Sequence, residues 1–183
     1  MDIFTALADL NARHVQQAGA KSLRDDWSGI GFRIGTQRFL APQSQVAEVL
    51  SPPRITLVPN APPWLRGLAN LRGTVVPLYD LGHCLLDTRT PAHSRNRYLV
   101  LADASNPVGF LVDAVSGLRR FARADMRAVD VRSDSGLLMA EMAPYVSGAF
   151  PDGNDVRLVF SLRKVVQERL NAGAAVTTEG AST

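Results

Sequence analysis

His83 and Cys84 stand side by side in "DLGHCLL" and are the residues with the most chemical reach. A thiolate activated by an imidazole could attack a carbonyl. Such pairs normally meet through the fold, because chain neighbours rarely point at each other. Cys84 follows an apolar run and precedes two leucines, which reads as a small buried hydrophobe. It is the only cysteine, so neither an intrachain disulfide nor a Cys-based zinc site can form. His14, His83 and His93 lack metal-site spacing. "GIGFRIG" (29–35) has a Gly-x-Gly look, but its glycines do not open a helix as a dinucleotide loop requires. There is no Gly-x4-Gly-Lys-Ser/Thr loop, no Gly-x-Ser-x-Gly elbow and no carboxylate pair suited to acid–base work. The expectation is a protein that is not an enzyme and carries no catalytic residue, metal or cofactor.

Charge is the next source of function. Lys and Arg total 20 against 17 Asp and Glu, a net +3, and only Lys21 and Lys164 are lysines. Bulk phosphate binding usually draws on both basic types, whereas the planar fork of arginine also suits protein partners. Seven arginines (89, 95, 97, 119, 120, 123, 127) face three aspartates between 89 and 127, a net +4; residues 128–160 carry a net −3. That asymmetry reads either as two solvated faces or as a polarised surface that orients a partner. A small barrel binding nucleic acid through the 89–127 arginines is the competing function, although aromatic residues are not interleaved with them.

The elements that must position these groups are short. A chain of 183 residues, 46% apolar and 20% charged, has ordinary globular composition and buries roughly two thirds of its unfolded surface. Ile3, Phe4, Leu7, Leu10, His14 and Val15 recur at helical spacing over 3–18, with Asp2 to cap and Gly19 to end it. That helix reads as a cover for a barrel end or as a partner-binding helix. From Gly29 to Leu50 alternation predicts a β-meander, with a third strand at Val46–Leu50. Residues 51–63 hold five prolines and read as an extended loop. A helical turn is expected at 64–70, a buried strand at "TVVPLY" with Pro77 marking an edge or bulge, and a helical turn capped by Asp80. "RYLVLAD" (97–103) and "VGFLVDAVSGLRRF" (108–121) read as paired strands, 145–162 as a hairpin turning at Asp152-Gly153, and 161–173 as an amphipathic helix. No apolar run nears the ~20 residues of a spanning helix, and "MDIFTALADL" has no basic lead-in, so a soluble cytosolic protein is expected. Many short strands with helices at the ends argue for small barrels.

"WLRGLANLRGTVVPLYDL" (64–81) repeats Leu-Arg-Gly at a six-residue interval. Each glycine permits a turn or a close approach. Arg66 and Arg72 would then be thrown outward over Trp64, Leu68 and Leu71, and rigid presentation lowers the cost of binding. This stretch resembles the signature "KG-x-x-NLRG-x-x-x-P-x-x-DL" of the CheW family of chemosensory coupling proteins. "QVAEVL" (45–50), "RYLVLADASNPVGFLVDAVSGLRRF" (97–121) and "PYVSGAF…VRLVFSLRKVV" (144–166) resemble its flanking segments in the same order, over roughly residues 28–170.

The resemblance implies an all-β fold of two interlocked five-stranded SH3-like barrels with terminal helices. It implies a non-catalytic adaptor in the cytoplasm at receptor arrays. Its partners would be the cytoplasmic tip of a methyl-accepting chemoreceptor and the regulatory domain of a CheA-type histidine kinase, without nucleic acid and without membrane insertion. By motif alignment Val46, Glu48, Arg66, Gly67, Arg72 and Val75 fall at positions of partner coupling. Arg72 could equally form an internal ion pair with Glu48. The organisation expected is an N-terminal helix and linker (1–27), a CheW-like domain of two subdomains (28–171) and a disordered tail (172–183). The N-terminal helix and the Pro-rich loop read as additions to a minimal coupling domain, similar to variants of the PilI kind that serve type IV pilus (twitching) systems.

Overall fold

Alternation of apolar residues along the strands decides the layers of this molecule. The computed structural model describes residues 26–103, 106–129, 140–153 and 155–170. The expected helix at 3–18, the stretch "RSDSG" (132–136) and the tail lie outside them. The first sheet comprises β1 (Asp26–Ile34), β2 (Gln37–Pro42), β8 (Ala114–Ala122), β9 (Val146–Asp152) and β10 (Asp155–Phe160), in the order β8-β1-β2-β10-β9. The second comprises β3 (Val46–Leu50), β4 (Leu65–Leu71), β5 (Thr74–Asp80), β6 (Arg97–Leu101) and β7 (Gly109–Val112), in the order β3-β6-β7-β5-β4. The chain leaves the first sheet after β2, builds the whole second sheet, and returns at β8. No helix among the described residues is long and apolar enough to cross a membrane.

Each sheet is drawn into a barrel by one short bridge between its edges. Beyond β3, Thr56 exchanges two backbone hydrogen bonds of 2.8 Å with Leu68 of β4. Beyond β8, Arg127 does the same with Ala149 of β9 at 2.9 Å. Closure satisfies edge groups that would otherwise invite foreign strands.

Three apolar layers result from the two-residue period of the strands. On β2, Phe39 and Ala41 face the seam between the barrels while Leu40 fills the first barrel with Trp27, Phe150 and Val159. On β6, Leu99 and Leu101 face the seam while Tyr98 fills the second barrel with Ala69, Val76, Leu78 and Leu111. Strands buried on both faces read as continuous apolar runs, which is why "RYLVL" and "GFLV" lack a polar face.

Several expectations need correction. The run 29–50 is not one meander: β1 and β2 form a hairpin, but β3 pairs with β6 in the other sheet. Residues 64–70 are not a helical turn. Leu65–Leu71 is strand β4, paired with β5 and bulged between Leu65 and Gly67. Of the two readings of Pro77, the edge is wrong, because β5 is an inner strand, but its ladder with β4 is bulged, between Leu65 and Gly67. Pro77 is tolerated because pairing of β5 with β7 begins only at Leu78. The run 108–121 is two strands: β7 pairs with β6, then β8 crosses to β1.

The helical turn at Asp80 is present as α1 (Leu81–Leu86). Asp80 is fully buried and accepts from the backbone N–H of His83 at 3.2 Å, the N–H of Thr90 at 3.0 Å and the Thr90 hydroxyl at 2.6 Å. It caps the helix and pins the following loop. Asp80→Ala would strip three donors of their acceptor inside the protein, and should lower the unfolding free energy by about 2–4 kcal/mol. Asp80→Asn, which keeps one acceptor oxygen, should lose less. Denaturant titration checks this; a shift below about 0.5 kcal/mol for the alanine variant would show the cap to be dispensable.

Candidate functional site

The two Leu-Arg-Gly repeats do different things. In the second, Arg72 (φ +52°) and Gly73 (φ +89°) are the central residues of the two-residue β4–β5 hairpin, the pattern of a type I′ turn. Asn70 Oδ1 accepts from the Gly73 N–H at 2.8 Å and steadies it. In the first, Gly67 (φ +134°) lies at the bulge inside β4 rather than in a turn. A β-carbon there would fall inside van der Waals contact of the Thr56 carbonyl oxygen and Ile55 Cγ2. Gly67 is thus what lets the Pro-rich loop close the second barrel.

Arg72 Nη2 donates to Glu48 Oε1 at 2.7 Å. Glu48 is on β3 and Arg72 follows β4, the two opposite edges of one sheet, so this ion pair spans the seam of barrel closure. The Arg72 side chain is 83% exposed and that of Glu48 32%. A pair so exposed is worth only about 0–1 kcal/mol, so it can be exchanged for contacts with another molecule at little cost in stability. Val75, the second residue of the return strand, lies opposite Asn70 and is 59% exposed.

The other candidates lie apart. Val46 packs against the core at the seam, and a register shift separates it from Glu48. Arg66 is half-buried at the bulge end of β4 and does not point simply outward. Its guanidinium sits beside the hydroxyl of Tyr98. Burial raises the Tyr98 pKa, and Arg66 draws it partly back. Arg66 also lines a small cavity of about 280 Å³ with Ile55, Leu57, Pro63, Leu65 and Arg89. The six positions therefore divide into a rim (Glu48, Arg72, Val75), a closure point (Arg66, Gly67) and a seam residue (Val46).

Sequence reasoning missed Leu57, 79% exposed, and its neighbour Val58. The signal was the apolar "ITLV" held between prolines in the extended loop.

The residues of the alternative chemistries are placed as follows among the described residues. Cys84 is buried, and its thiol is pushed up to about 11, chiefly by burial; Arg169 pulls against this and Asp80 adds to it. It is neutral at physiological pH, the opposite of an activated nucleophile. His83 Nε2 faces Asp87 Oδ1 at 3.5 Å instead of the thiol. Among the described residues no His/Cys/Asp/Glu group could hold a metal ion. Arg119, Arg120, Arg123 and Arg127 are exposed on and after β8. The one aromatic residue within that run, Phe121, turns inward to stack on Phe150 at 4.6 Å, so no platform for bases accompanies the charges.

Comparison with known proteins shows the family. Residues 28–170 match the model of the CheW-like domain. The chain is 33% identical to Protein PilI of Pseudomonas aeruginosa over 91% of this chain and 92% of that protein. It is 33% identical to Protein FrzA of Myxococcus xanthus over 60% of this chain and 69% of that protein. It is 34% identical to Chemotaxis protein CheW of Rhizobium meliloti over 57% and 68%. Its fold is similar to that of the crystal structure of scaffolding protein TtCheW from Thermoanaerobacter tengcongensis. The TM-score is 0.62 at 18% identity, covering 75% of this chain and 84% of that one. The Pro-rich loop, expected as an addition, falls within the matched span.

Proposed function

Since the chain belongs to the CheW-like domain family, we propose that the rim of its second barrel is gripped by the proteins it joins in a chemosensory array. It is a scaffold and adaptor of chemosensory signalling. Its partners are the regulatory domain of a CheA-type histidine kinase and the cytoplasmic tip of a chemoreceptor, met in the cytoplasm. The extent of the PilI likeness favours a type IV pilus system over a flagellar one. Val46, Glu48, Arg66, Gly67, Arg72 and Val75 form the working set, with Glu48, Arg72 and Val75 in direct contact and Arg66, Gly67 and Val46 holding the frame.

One observation carries this reading: an exposed arginine, fixed on a rigid type I′ turn, is paired with a glutamate on the far edge of the same sheet, with an exposed valine at the foot of its hairpin. Rigid presentation reduces the ordering cost of association. Arg72→Glu should weaken capture of the kinase regulatory domain or the receptor tip by roughly tenfold or more. Its unfolding free energy should move by no more than about 1 kcal/mol. The swap Glu48→Arg with Arg72→Glu restores the internal pair. If the rim contacts partners, the swap stays defective in binding. Undiminished capture of both partners by Arg72→Glu, or full rescue by the swap, would reduce the pair to an internal brace.

A further inference from the structure

Arg66 and Arg89 line a cavity of about 280 Å³ whose other walls are Ile55, Leu57, Pro63 and Leu65, so the two charges in it are both positive. Arg38, Arg72 and Arg157 each have a carboxylate partner, whereas among the described residues neither Arg66 nor Arg89 forms an ion pair. The Arg66 guanidinium bonds the hydroxyl of Tyr98, which is 2% exposed, so the barrel interior fixes its position. Arg89 is exposed, in the loop that Thr90 ties to Asp80. One anchored and one reachable guanidinium therefore stand over apolar walls, with no carboxylate among the described residues to satisfy either.

The apolar surface continues outside the cavity. Leu57 is 79% exposed and Val58 37%. The backbone around them is held. Thr56 exchanges two hydrogen bonds of 2.8 Å with Leu68, the Leu65 N–H donates to the Pro62 carbonyl at 2.9 Å, and Pro59, Pro62 and Pro63 fix the chain between. An apolar side chain presented on a rigid backbone costs little further ordering when another molecule covers it.

We propose that this cavity and Leu57 form a docking site for an acidic polypeptide segment, one that presents an apolar side chain beside a carboxylate. The apolar side chain enters between Ile55, Leu57, Pro63 and Leu65, and the carboxylate accepts from Arg66 and Arg89. Charge complementarity decides for an acidic partner, because guanidinium forks suit carboxylates and these two have no internal competitor among the described residues. Size decides for a polypeptide. The cavity is smaller than the ~300–1,000 Å³ of a typical small-molecule site, while Leu57 and Val58 extend the contact past its mouth. That the occupant belongs to another protein rests on the adaptor reading above. The site is separate from the Glu48–Arg72 pair. Arg66 lies near the start of β4 and Arg72 in the turn that follows it, about 20 Å apart at strand rise.

The probe is an acetylated, amidated peptide with one leucine between glutamates, titrated into the full chain while its amide signals are recorded. Saturable shifts are expected at Leu57, Leu65, Arg66 and Arg89. Arg89→Gln and Leu57→Ser should each weaken binding by roughly tenfold, the former by removing a charged hydrogen bond and the latter by removing apolar contact. Both side chains are exposed, so the denaturation midpoints should not move. Replacing the glutamates of the peptide by glutamine should cost a similar factor, and added salt should weaken only the glutamate peptide. No saturable shift, shifts centred elsewhere, equal binding of the glutamine peptide, or undiminished binding in both variants would each overturn the proposal. So would N-acetyl-leucine binding as tightly as the peptide, which would make this a site for small carboxylates. Neither the kinase domain nor the receptor tip enters this titration. Its failure therefore leaves the rim around Arg72 untouched, and failure of the Arg72→Glu capture leaves this site untouched.

Discussion

Gly67→Ala should open the second barrel. The substituted residue would have to hold φ near +134°, a conformation that L side chains rarely adopt, while its β-carbon pressed into the Thr56 carbonyl and the Ile55 side chain. Both strains fall on the bridge that closes the barrel, where Thr56 and Leu68 exchange their two hydrogen bonds. The expected loss is about 2–4 kcal/mol of unfolding free energy. Early hydrogen exchange at the Thr56 and Leu68 amides should accompany it, along with weaker capture of the two proposed partners. Gly73→Ala is the control. Gly73 also has positive φ, at +89°, but nothing lies within 4 Å of its added carbon, so only backbone strain of about 1 kcal/mol is at stake. Equal losses at the two positions, or full protection of Thr56 in Gly67→Ala, would remove the close-approach argument.

Phe39→Ala should destabilise the whole molecule. Phe39 is fully buried at the seam, 5.4 Å from the Phe32 ring and 5.2 Å from Phe160. Removing a core phenylalanine typically costs about 3–5 kcal/mol, through lost burial and the cavity left behind. The same cluster takes in Leu99, Phe110 and Val112 of the second barrel, so neither barrel has an independent core at this face. Trp27 lies inside the first barrel and Trp64 packs against the shared cluster, so the two tryptophans report on different parts. Single-tryptophan variants should give coincident denaturation curves in the parent and in Phe39→Ala, shifted together. Two separated transitions would mean that each barrel folds on its own core.

Much of the surface chemistry was legible in residue types alone. The spacing of Leu-Arg-Gly with Asn70 between marked a glycine-dependent segment, and the lone Cys84 beside leucines marked a buried thiol. Asp80 before "LGHC" marked a cap. These readings depend on properties a residue carries with it: φ freedom, polarity, side-chain length. The errors share a different origin. The apolar residues of "WLRGLAN" fit a three- and four-residue step as well as a bulged strand, so they suggest a helical turn. Only its pairing with β5 and with Thr56 distinguishes the two. The run 108–121 looked like one strand because Asp113, where the chain changes sheets, carries no mark of the crossing.

What the chain determined by itself was therefore local and chemical: short strands, a capped turn, a buried thiol, and a motif whose resemblance implied an adaptor. Which strands share a sheet was decided only in three dimensions. So were the loop that passes over Gly67 and the meeting of Glu48 with Arg72 from opposite edges. Both barrels draw on one seam, and strands buried on both faces carry no polar side to reveal their partners. Pairing among such strands is chosen by the packing of the assembled core, a property that no segment possesses alone.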